Sequence, residues 1–460
     1  MNGRKCVFQP VVPRIHTYSF HPTVRASGQC LRIVSIDESQ SNDDKRRKND
    51  YRQELHGSQR NLVVVSSNPS LSNSTRTLGS NGENVEKSAV YVKIASRPRR
   101  TMPGPRRYDL RPDDVAALVG NEPAYRVKQI WEGLYEQAKD IDEITSLPKA
   151  LRAKLAAEPT FDMALDTELE KRSEHGETIK WLWNLIDGAA IETVLMHYEE
   201  RSTVCISSQA GCAMACGFCA TGQAGFERQL TAGEIIEQVI RARRRSTEDG
   251  RRLSNVVFMG MGEPMANYDA VWRAVEVLHH DLGMSARHLT ISTVGIIPGI
   301  KRLTQETLPV NLAVSLHAAE DKKRDSLVPI NRQYPLGDLA EACGAYVDAT
   351  GRRLSFEWAL IADVNDTMAD ARQLAAYARP LKAHVNLIPL NPTPGYPTVG
   401  TSAAGVRAFR DQLQDFGVNA TIRRNRGTGI DAACGQLRSR ALNLSPKPST
   451  AVTESVPNAD

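Results

Sequence analysis

The sequence TVCISSQAGCAMACGFCATG, residues 203–222, begins as a β-rich run and ends as a loop rich in Gly and Ala. Three cysteines occupy its second half, separated by three and then two residues: Cys212, Cys216 and Cys219. A helix is predicted to begin at Thr231, because Thr231 and Glu234 have the spacing of a capping box. The three thiols are therefore expected to lie together on a loop between a strand and a helix.

Strand-like and helix-like segments alternate from this stretch towards the C-terminus. Examples are SNVVFMGMGEP (254–264) followed by DAVWRAVEVLHHDLG (269–283), and HLTISTVG (288–295) followed by PGIKRLTQE (298–306). Six or so such repeats predict the α/β class, with a parallel sheet that forms a partial (β/α)6-type barrel. The C-terminal ends of the strands meet on one face of a barrel. The thiols and the polar strand ends are expected on that face.

Before the barrel, residues 176–196 alternate as two strands joined at Asp187-Gly188, which predicts a β-hairpin. Alternate residues of its second strand share one face: Ala190, Glu192, Val194 and Met196. Glu192 is then a carboxylate among apolar neighbours, and its burial would be costly without a purpose.

The chain is predicted to contain five segments. They are a disordered, low-complexity arm (1–100), a small helical accessory domain expected to bind RNA (108–157), a β-hairpin linker (176–200), the barrel (201–440) and a disordered tail (441–460). The first 36 residues contain no Asp or Glu, which is typical of a transit peptide, but a start codon placed too far upstream of Met102 is the favoured explanation.

Composition narrows the class of protein. Hydrophobic residues make up 41% of the chain and the formal net charge is +5, which is ordinary for a globular protein. No apolar run approaches the roughly 20 residues needed to span a bilayer, so no membrane segment is expected. The eight cysteines are scattered and no secretory signal precedes them, which favours a reducing, cytoplasmic location.

Several kinds of site could use the three thiols. A disulfide is disfavoured in a reducing compartment, a structural zinc ion requires a fourth protein ligand, and buried free thiols need no such spacing. An iron–sulfur cube is usually held by four cysteines. Three cysteines leave one iron open to a small molecule, so the spacing favours a cluster of this kind.

Six separated motifs resemble the radical S-adenosylmethionine (SAM) superfamily and, within it, the RlmN family of RNA adenine C-methyltransferases. The resemblance covers about residues 108–440. In chain order the motifs are CISSQAGCAMACGFCATGQAGF (205–226), GMGEPMAN (260–267), STVGIIPGI (292–300), AVSLHA (313–318), LIPLNP (387–392) and GIDAACGQL (429–437).

This resemblance implies a cofactor site. Cys212, Cys216 and Cys219 would hold a 4Fe-4S cluster. SAM, used twice per turnover, would be bound by Gly262, Glu263, Ser292, Ser315, Leu316, His317 and Asn391. A carboxylate such as Glu263 suits the amino end of SAM.

The resemblance also implies the catalytic residues. Cys434 would carry the methyl group, Glu192 would accept a proton, and Cys205 would pair with Cys434 in a disulfide as product leaves. The implied reaction is methylation of carbon 2 of adenine in 23S rRNA and tRNA by a radical mechanism. It would need an external electron donor and a disulfide reductant. Cys343 is interpreted as core packing, because Leu336, Leu339 and Val347 share its helix face.

Two alternatives remain open on the sequence. A relative that methylates carbon 8 would share every motif, and a non-enzymatic iron–sulfur protein would need neither Cys205 nor Cys434. Basic runs favour an RNA partner weakly: RPRRTMPGPRR (97–107), RARRR (241–245) and RRNRG (423–427). One departure from the family pattern is Gly429, where an acidic residue is expected, and it casts doubt only on local loop contacts.

Overall fold

The computed structural model describes residues 104–437 except 174, 392, 394, 395, 397, 398, 424, 425 and 434. Before residue 104, only the backbone of five short strands is described. They are β1 (Ser19–Phe20), β2 (Arg25–Ala26), β3 (Gln29–Ser35), β4 (Leu62–Ser66) and β5 (Thr77–Leu78), and they pair antiparallel within a unit formed by residues 1–96. The predicted disorder of residues 1–100 and 441–460 otherwise falls outside the described residues and stays a prediction.

A second compact unit contains residues 97–460 and starts with short helices. These are α1 (Pro112–Val119), α2 (Tyr125–Trp131) and α3 (Lys149–Ala156), and α2 continues as a π-helical turn over Glu132–Glu136. Apolar side chains of this region, such as Leu134 and Tyr135, belong to the same buried cluster as Trp358 in the barrel. The helices therefore pack on the barrel through a shared core.

Ten strands form one sheet in the second unit. In the order of the sheet they are β17 (Ala420–Ile422), β16 (His384–Pro389), β15 (Leu354–Leu360), β14 (Asn311–Ser315), β13 (Leu289–Thr293), β12 (Arg252–Phe258), β9 (Arg201–Cys205), β8 (Ala190–His197), β7 (Thr178–Leu185) and β6 (Leu165–Arg172). Neighbours from β17 to β9 are parallel, and those from β9 to β6 are antiparallel. The parallel part confirms the predicted partial barrel.

The antiparallel part is longer than the predicted hairpin. Strands β7 and β8 turn at Asp187-Gly188, where Gly188 has φ 75°, and β6 adds a third strand outside β7. The β6 sequence LDTELEKR carries few of the β-branched and aromatic residues that identify a strand. It pairs because its partner β7 offers an otherwise open edge.

Helices and one small ribbon lie between the strands. The helices are α4 (Ala220–Ala224), α5 (Ala232–Glu248), α6 (Tyr268–His280), α7 (Ile297–Thr304), α8 (Asp321–Leu327), α9 (Leu336–Thr350), α10 (Met368–Ala378) and α11 (Ala403–Asp415). The ribbon pairs β10 (Gln209–Gly211) with β11 (Phe226–Gln229). Cys343 is fully buried on α9, which confirms its interpretation as core packing. No helix within the described residues is long and apolar enough to cross a membrane.

The predicted capping box starts α5. The Glu234 amide donates to Thr231 Oγ1 at 3.1 Å, and the Thr231 amide donates to Glu234 Oε2 at 2.9 Å. Glu234 is also paired with the buried Arg228 guanidinium, which reaches Asp187 at the hairpin turn. The side chains of Arg228 and Glu234 are 2% and 1% exposed. The hairpin turn and the helix after the cysteines are therefore joined by one buried cation.

Asp109, ahead of α1, adds a contact between the helical region and α5. Its Oδ1 accepts from the Gly233 amide at 2.7 Å, and its Oδ2 accepts from Thr231 Oγ1 at 3.2 Å. A Cβ at Gly233 would lie 2.6 Å from Asp109 Cγ, so only glycine admits the carboxylate there. Asp109 thus supplies a second cap from outside the helix.

Replacing Asp109 by alanine is expected to lower the free energy of unfolding by about 1–2 kcal/mol, since a capping acceptor is lost. Urea unfolding followed by tryptophan fluorescence measures this change. The exposed Asp348 on α9 provides a matched control, and Asp348→Ala should change stability by less than about 0.5 kcal/mol. Equal effects of the two substitutions would show that the Asp109 contacts are unimportant for stability.

Candidate active site

The cysteine loop lies between β10 and α4 and is closed at its base. The Cys212 amide donates to the Gly225 carbonyl at 2.9 Å, and the Cys219 amide donates to the Cys216 carbonyl at 3.1 Å. Gly211 has φ 74°, and a Cβ there would lie 2.0 Å from the Gly225 carbonyl oxygen. Glycine is therefore required where the ribbon turns into the loop.

The three thiols are free and lie in a protected setting. Cys212 and Cys216 are buried, and Cys219 is partly exposed. Burial raises the pKa of the Cys212 thiol to about 12, and it raises the pKa of Cys216 as well. These two buried thiols are neutral on their own, and they bind metal as thiolates only when a cationic centre compensates the charge.

A cavity of about 1070 Å³, called the cofactor cavity below, is lined by all three cysteines. It is also lined by six of the seven residues expected to bind SAM: Gly262, Glu263, Ser292, Ser315, His317 and Asn391. The seventh, Leu316, is fully buried in the main core, and its amide donates to the Glu357 carbonyl at 3.0 Å. The structure therefore brings the predicted residues from five separate motifs together in one place.

Glu263 is held rigidly at the end of β12. Its Oε1 accepts from the Met265 amide at 3.0 Å, and its Oε2 accepts from the Val294 amide at 2.8 Å. It is 2% exposed, and burial raises the pKa of this carboxyl to about 7 despite those hydrogen bonds. A cationic group entering the cavity would favour the carboxylate form.

Glycines let the strand ends approach each other closely. A Cβ at Gly260 would lie 2.7 Å from the Ile206 backbone, and one at Gly262, where φ is 100°, would lie 2.5 Å from Gln209 Cβ. Larger residues would push β12 away from the chain that leads to the cysteines. This packing explains the two glycines of GMGEP without any ligand.

His317 is a neutral ring in the cofactor cavity wall. Its Nδ1 accepts from the Ala359 amide at 2.9 Å, which leaves the ring proton on Nε2. Burial lowers its pKa to about 3, with a smaller effect from Arg324. The Phe218 ring packs edge-on against it, with centroids 4.8 Å apart, and so joins the cysteine loop to the end of β14.

A second cavity, of about 880 Å³, adjoins the first. It is lined by Val194, Met196 and Cys205 from β8 and β9, and by Ala432 and Ala433 from the C-terminal loop. Three residues line both cavities: Met259, Arg423 and Leu437. The second cavity therefore shares a wall with the cofactor cavity.

Cys434 lies outside the described residues. Its neighbours are described, and Ala433 lines the second cavity whereas Gly435 lines the cofactor cavity. The Ala220 amide donates to the Gly435 carbonyl at 2.8 Å, and Thr221 Oγ1 donates to the Leu437 carbonyl at 2.6 Å. The chain after Cys434 is thus fastened to α4, and the two neighbours of Cys434 line different cavities.

Glu192 is buried on β8, 4% exposed, as its alternating pattern indicated. Lys180 Nζ donates to Glu192 Oε1 at 3.1 Å. The sequence interpretation missed Lys180 and also Glu357, which lines the cofactor cavity. A signal was available, because each is a single charged residue within an otherwise largely apolar strand, as Glu192 is.

The basic runs differ in their surroundings. Every described arginine of RARRR bonds within the chain, to carboxylates or carbonyls: Arg241, Arg243, Arg244 and Arg245. In RRNRG, Arg423 lines both cavities, and Arg426 lies 4.4 Å from the Tyr198 ring centroid at the second one. Both described arginines of RRNRG also have a carboxylate nearby, Glu357 for Arg423 and Glu177 for Arg426, so the second run differs from the first in lining the cavities.

Residues 206–375 match the Radical SAM superfamily. The fold and the cysteine loop described above define a protein of that class. Comparison with whole proteins narrows the assignment from this superfamily to one family. The chain belongs to the RlmN family.

Three relatives support that assignment. A probable dual-specificity RNA methyltransferase RlmN from Chloroflexus aurantiacus is 47% identical over 349 residues, covering 72% of this chain and 92% of that protein. The dual-specificity RNA methyltransferase RlmN 1 from Myxococcus xanthus is 48% identical over 338 residues, covering 72% and 93%. The crystal structure of a radical SAM methyltransferase from Sphaerobacter thermophilus matches with a TM-score of 0.71 and 48% identity, covering 73% of this chain and 100% of that one.

The family implies a 4Fe-4S cluster and SAM, and the cofactor cavity fits both. In the described part of the chain, no group of three or more His, Cys, Asp or Glu could hold a single metal ion, whereas a cube binds its thiolates through different irons. Glu357 Oε2 is buried without a hydrogen-bond partner, and Arg423 Nη1 is 3.9 Å away. Such an orphaned oxygen costs about 1–3 kcal/mol, and a ligand hydroxyl or amine would satisfy it.

Replacing Gly260 by alanine is expected to lower the free energy of unfolding by about 1–3 kcal/mol, because the new methyl group meets backbone that cannot move aside. Urea unfolding measures the loss. Gly337 on α9 provides the control, since a Cβ there meets nothing within 4 Å. If Gly260→Ala proved as stable as Gly337→Ala, the tight packing of β12 against Ile206 would be refuted.

Proposed function

We propose that this protein is an RNA methyltransferase that methylates carbon 2 of adenine in 23S rRNA and tRNA, through a methylated Cys434. The observation that carries the proposal is the pair of adjoining cavities. One contains the three thiols, and the other contains Cys205 close to the buried Glu192. The relatives described above are dual-specificity RNA methyltransferases, which supports RNA as the substrate class.

In the proposed reaction, the cofactors supply the radical and the methyl group, and residues of the chain bind and shield them. A bound cluster and SAM would supply a radical able to remove a hydrogen atom, and a further SAM would supply the methyl group. Cys212, Cys216 and Cys219 would hold the cluster. Glu263 would hold the amino end of SAM in the carboxylate form, and the buried walls would exclude water from the radical.

The remaining steps belong to residues at the second cavity. Cys434, as a thiolate, would take a methyl group from the first SAM. The methylthio group would then lose one hydrogen atom to the radical derived from the second SAM, and its carbon would bond to the adenine ring. Glu192 accepts the proton that the ring carbon loses. The adduct would give up its unpaired electron to the oxidised cluster. Cys205, as a thiolate, would then attack the Cys434 sulfur and break its bond to the methylene carbon, which would take up a proton and leave as the methyl group of the base. The disulfide formed between Cys205 and Cys434 would have to be reduced by an external thiol.

RNA would enter at the second cavity. Arg426 and Tyr198 line that cavity, and the guanidinium carbons of Arg426 and of Arg201 lie 4.4 and 5.4 Å from the Tyr198 ring centroid. Cations beside an aromatic ring suit phosphates and an unstacked base. An adenine in a loop is the expected target, because a stacked base could not reach Glu192.

Nucleoside mass spectrometry tests the reaction. The protein, reconstituted anaerobically with iron, sulfide, SAM and reductant, should convert adenosine in 23S rRNA and tRNA to 2-methyladenosine. Cys434→Ala should abolish product. Cys343→Ala should retain it, since burial raises the Cys343 pKa to about 12 and the residue is packed in the core.

Other results of this experiment would contradict carbon-2 methylation through Cys434. Formation of 8-methyladenosine would identify the carbon-8 relative instead. No methyladenosine with an intact cluster would overturn the methyltransferase proposal, and equal activity of Cys434→Ala and the native chain would exclude the methyl-cysteine route.

Binding of SAM tests the role of Glu263 separately. Glu263→Gln should raise the dissociation constant of SAM by about 10- to 100-fold, because a charge-assisted hydrogen bond is worth about 1.5–3 kcal/mol. Anaerobic equilibrium dialysis with labelled SAM measures it, on proteins of matched iron content. Glu341→Gln, at an exposed position on α9, is the control. Unchanged binding by Glu263→Gln would place the amino end of SAM elsewhere.

A further inference from the structure

Lys180 is a buried lysine with two partners. Its side chain is 8% exposed, and Nζ donates to Glu192 Oε1 at 3.1 Å and to the Asp431 carbonyl at 3.0 Å. One partner is the expected proton acceptor on β8. The other belongs to the C-terminal loop, three residues before Cys434.

The strand register explains why Lys180 reaches both. Lys180 is paired with Val194 across β7 and β8, and Val194 is paired with Cys205 across β8 and β9. Residues paired in this way point to the same face of the sheet, and so does Glu192, two residues from Val194. Lys180, Glu192 and Cys205 therefore share the face that the second cavity exposes.

The C-terminal loop is seated on the same strands at two further points. A Cβ at Gly427 would lie 2.9 Å from Thr178 Cγ2, so the loop backbone contacts β7 directly. Arg426 Nη1 donates to the His197 carbonyl at 2.9 Å at the end of β8. Asp431 has φ 54°, an uncommon conformation for a non-glycine residue, and it turns the loop where Lys180 meets its carbonyl.

Stability alone does not account for a buried ion pair at this place. Desolvation of the two charges offsets most of their attraction, and an apolar pair of similar volume commonly stabilises a fold as well or better. What an apolar pair could not supply is a fixed distance between a carboxylate and a loop backbone. Lys180 supplies it, since one ammonium group donates to both.

We propose that Lys180 is the positioning residue of the proton acceptor, and that it fixes the Glu192 carboxylate relative to the loop that leads to Cys434. This role rests on the function proposed above, in which Glu192 takes the proton from the adenine carbon. Lys180 itself contacts neither RNA nor SAM in this assignment. It acts through Glu192.

The chemistry predicts the step at which the reaction stops when Glu192 is misplaced. Methyl transfer from SAM to the Cys434 thiolate needs no base at the adenine ring, and neither does formation of the bond between the methyl carbon and the ring. Loss of the ring proton does need one, and the adduct cannot resolve without it. A chain with a misplaced Glu192 should therefore stall as a covalent protein–RNA adduct.

The test compares Lys180→Met, which removes the ammonium group, with Lys180→Arg, which keeps a cation. The full chain is reconstituted anaerobically and incubated with tRNA, SAM and reductant. Three quantities are measured: methylation of Cys434 by peptide mass spectrometry, methyladenosine by nucleoside mass spectrometry, and protein–RNA adduct by denaturing gel. Lys323→Met is the control, because it also leaves a buried carboxylate, Asp370, without its cation.

In Lys180→Met, methyladenosine should form at least about tenfold more slowly, since a positioned base contributes roughly 10²–10⁴-fold. Cys434 should still be methylated, and adduct should accumulate. Lys180→Arg should restore most of the rate, and Lys323→Met should match the native chain in all three measurements.

A double-mutant cycle with Glu192→Gln separates positioning from a general structural effect. If Lys180 acts through Glu192, adding Lys180→Met to Glu192→Gln should slow product formation no further. If the two substitutions slowed product formation by factors that multiply in the double variant, the proposal would be overturned. Native rates in Lys180→Met would also overturn it, as would loss of Cys434 methylation in that variant.

Failure of the proposed methyltransferase function would give a different result from failure of the proposal for Lys180. If the native chain formed no methyladenosine, the methyltransferase proposal would fail before Lys180 was considered. If the native chain were active and Lys180→Met behaved like it, only the role of Lys180 would be refuted.

Discussion

The register between β8 and β9 is the constraint on which the candidate active site depends. It pairs Val194 with Cys205 and thereby attaches the antiparallel hairpin to the first parallel strand. A slip of one residue would turn Glu192 away from the face that carries Cys205. Arg228 also joins the hairpin to α5, because it bonds Asp187 at the hairpin turn and the capping residue Glu234.

The two cavities of the candidate site lie at different parts of the sheet. The cofactor cavity opens at the carboxyl ends of the parallel strands, as expected for a barrel of this kind. The second cavity lies over the antiparallel strands, where Met196 and Cys205 contribute to its wall. Because Arg423 and Met259 line both, a group bound in one cavity is separated from the other by single side chains.

Much of this site could be predicted from local sequence. The spacing of Cys212, Cys216 and Cys219 indicated a shared loop, and the capping box at Thr231 placed the following helix correctly. The alternation around Glu192 placed a carboxylate among apolar side chains, and the structure shows that this carboxylate is buried. These signals are readable because each depends on residues within about one turn or one strand of each other.

The rest depended on contacts between distant segments. Lys180 and Asp431 are 251 residues apart, and no periodicity links them. The run RARRR indicated an anionic partner weakly, yet Arg244 bonds Asp140 and Glu143 more than a hundred residues earlier. Local sequence shows that a charge is present, whereas only the fold decides whether another part of the chain neutralises it.

The bond from Lys180 to residue 431 ends on a peptide carbonyl. Any residue has one, so this contact places no demand on the side chain at 431 beyond its tolerance for φ 54°. Sequence variation among relatives would consequently be restricted at 180 and much freer at 431. A connection between strand and loop of this kind leaves no pair of covarying positions, and it is visible only in atomic coordinates.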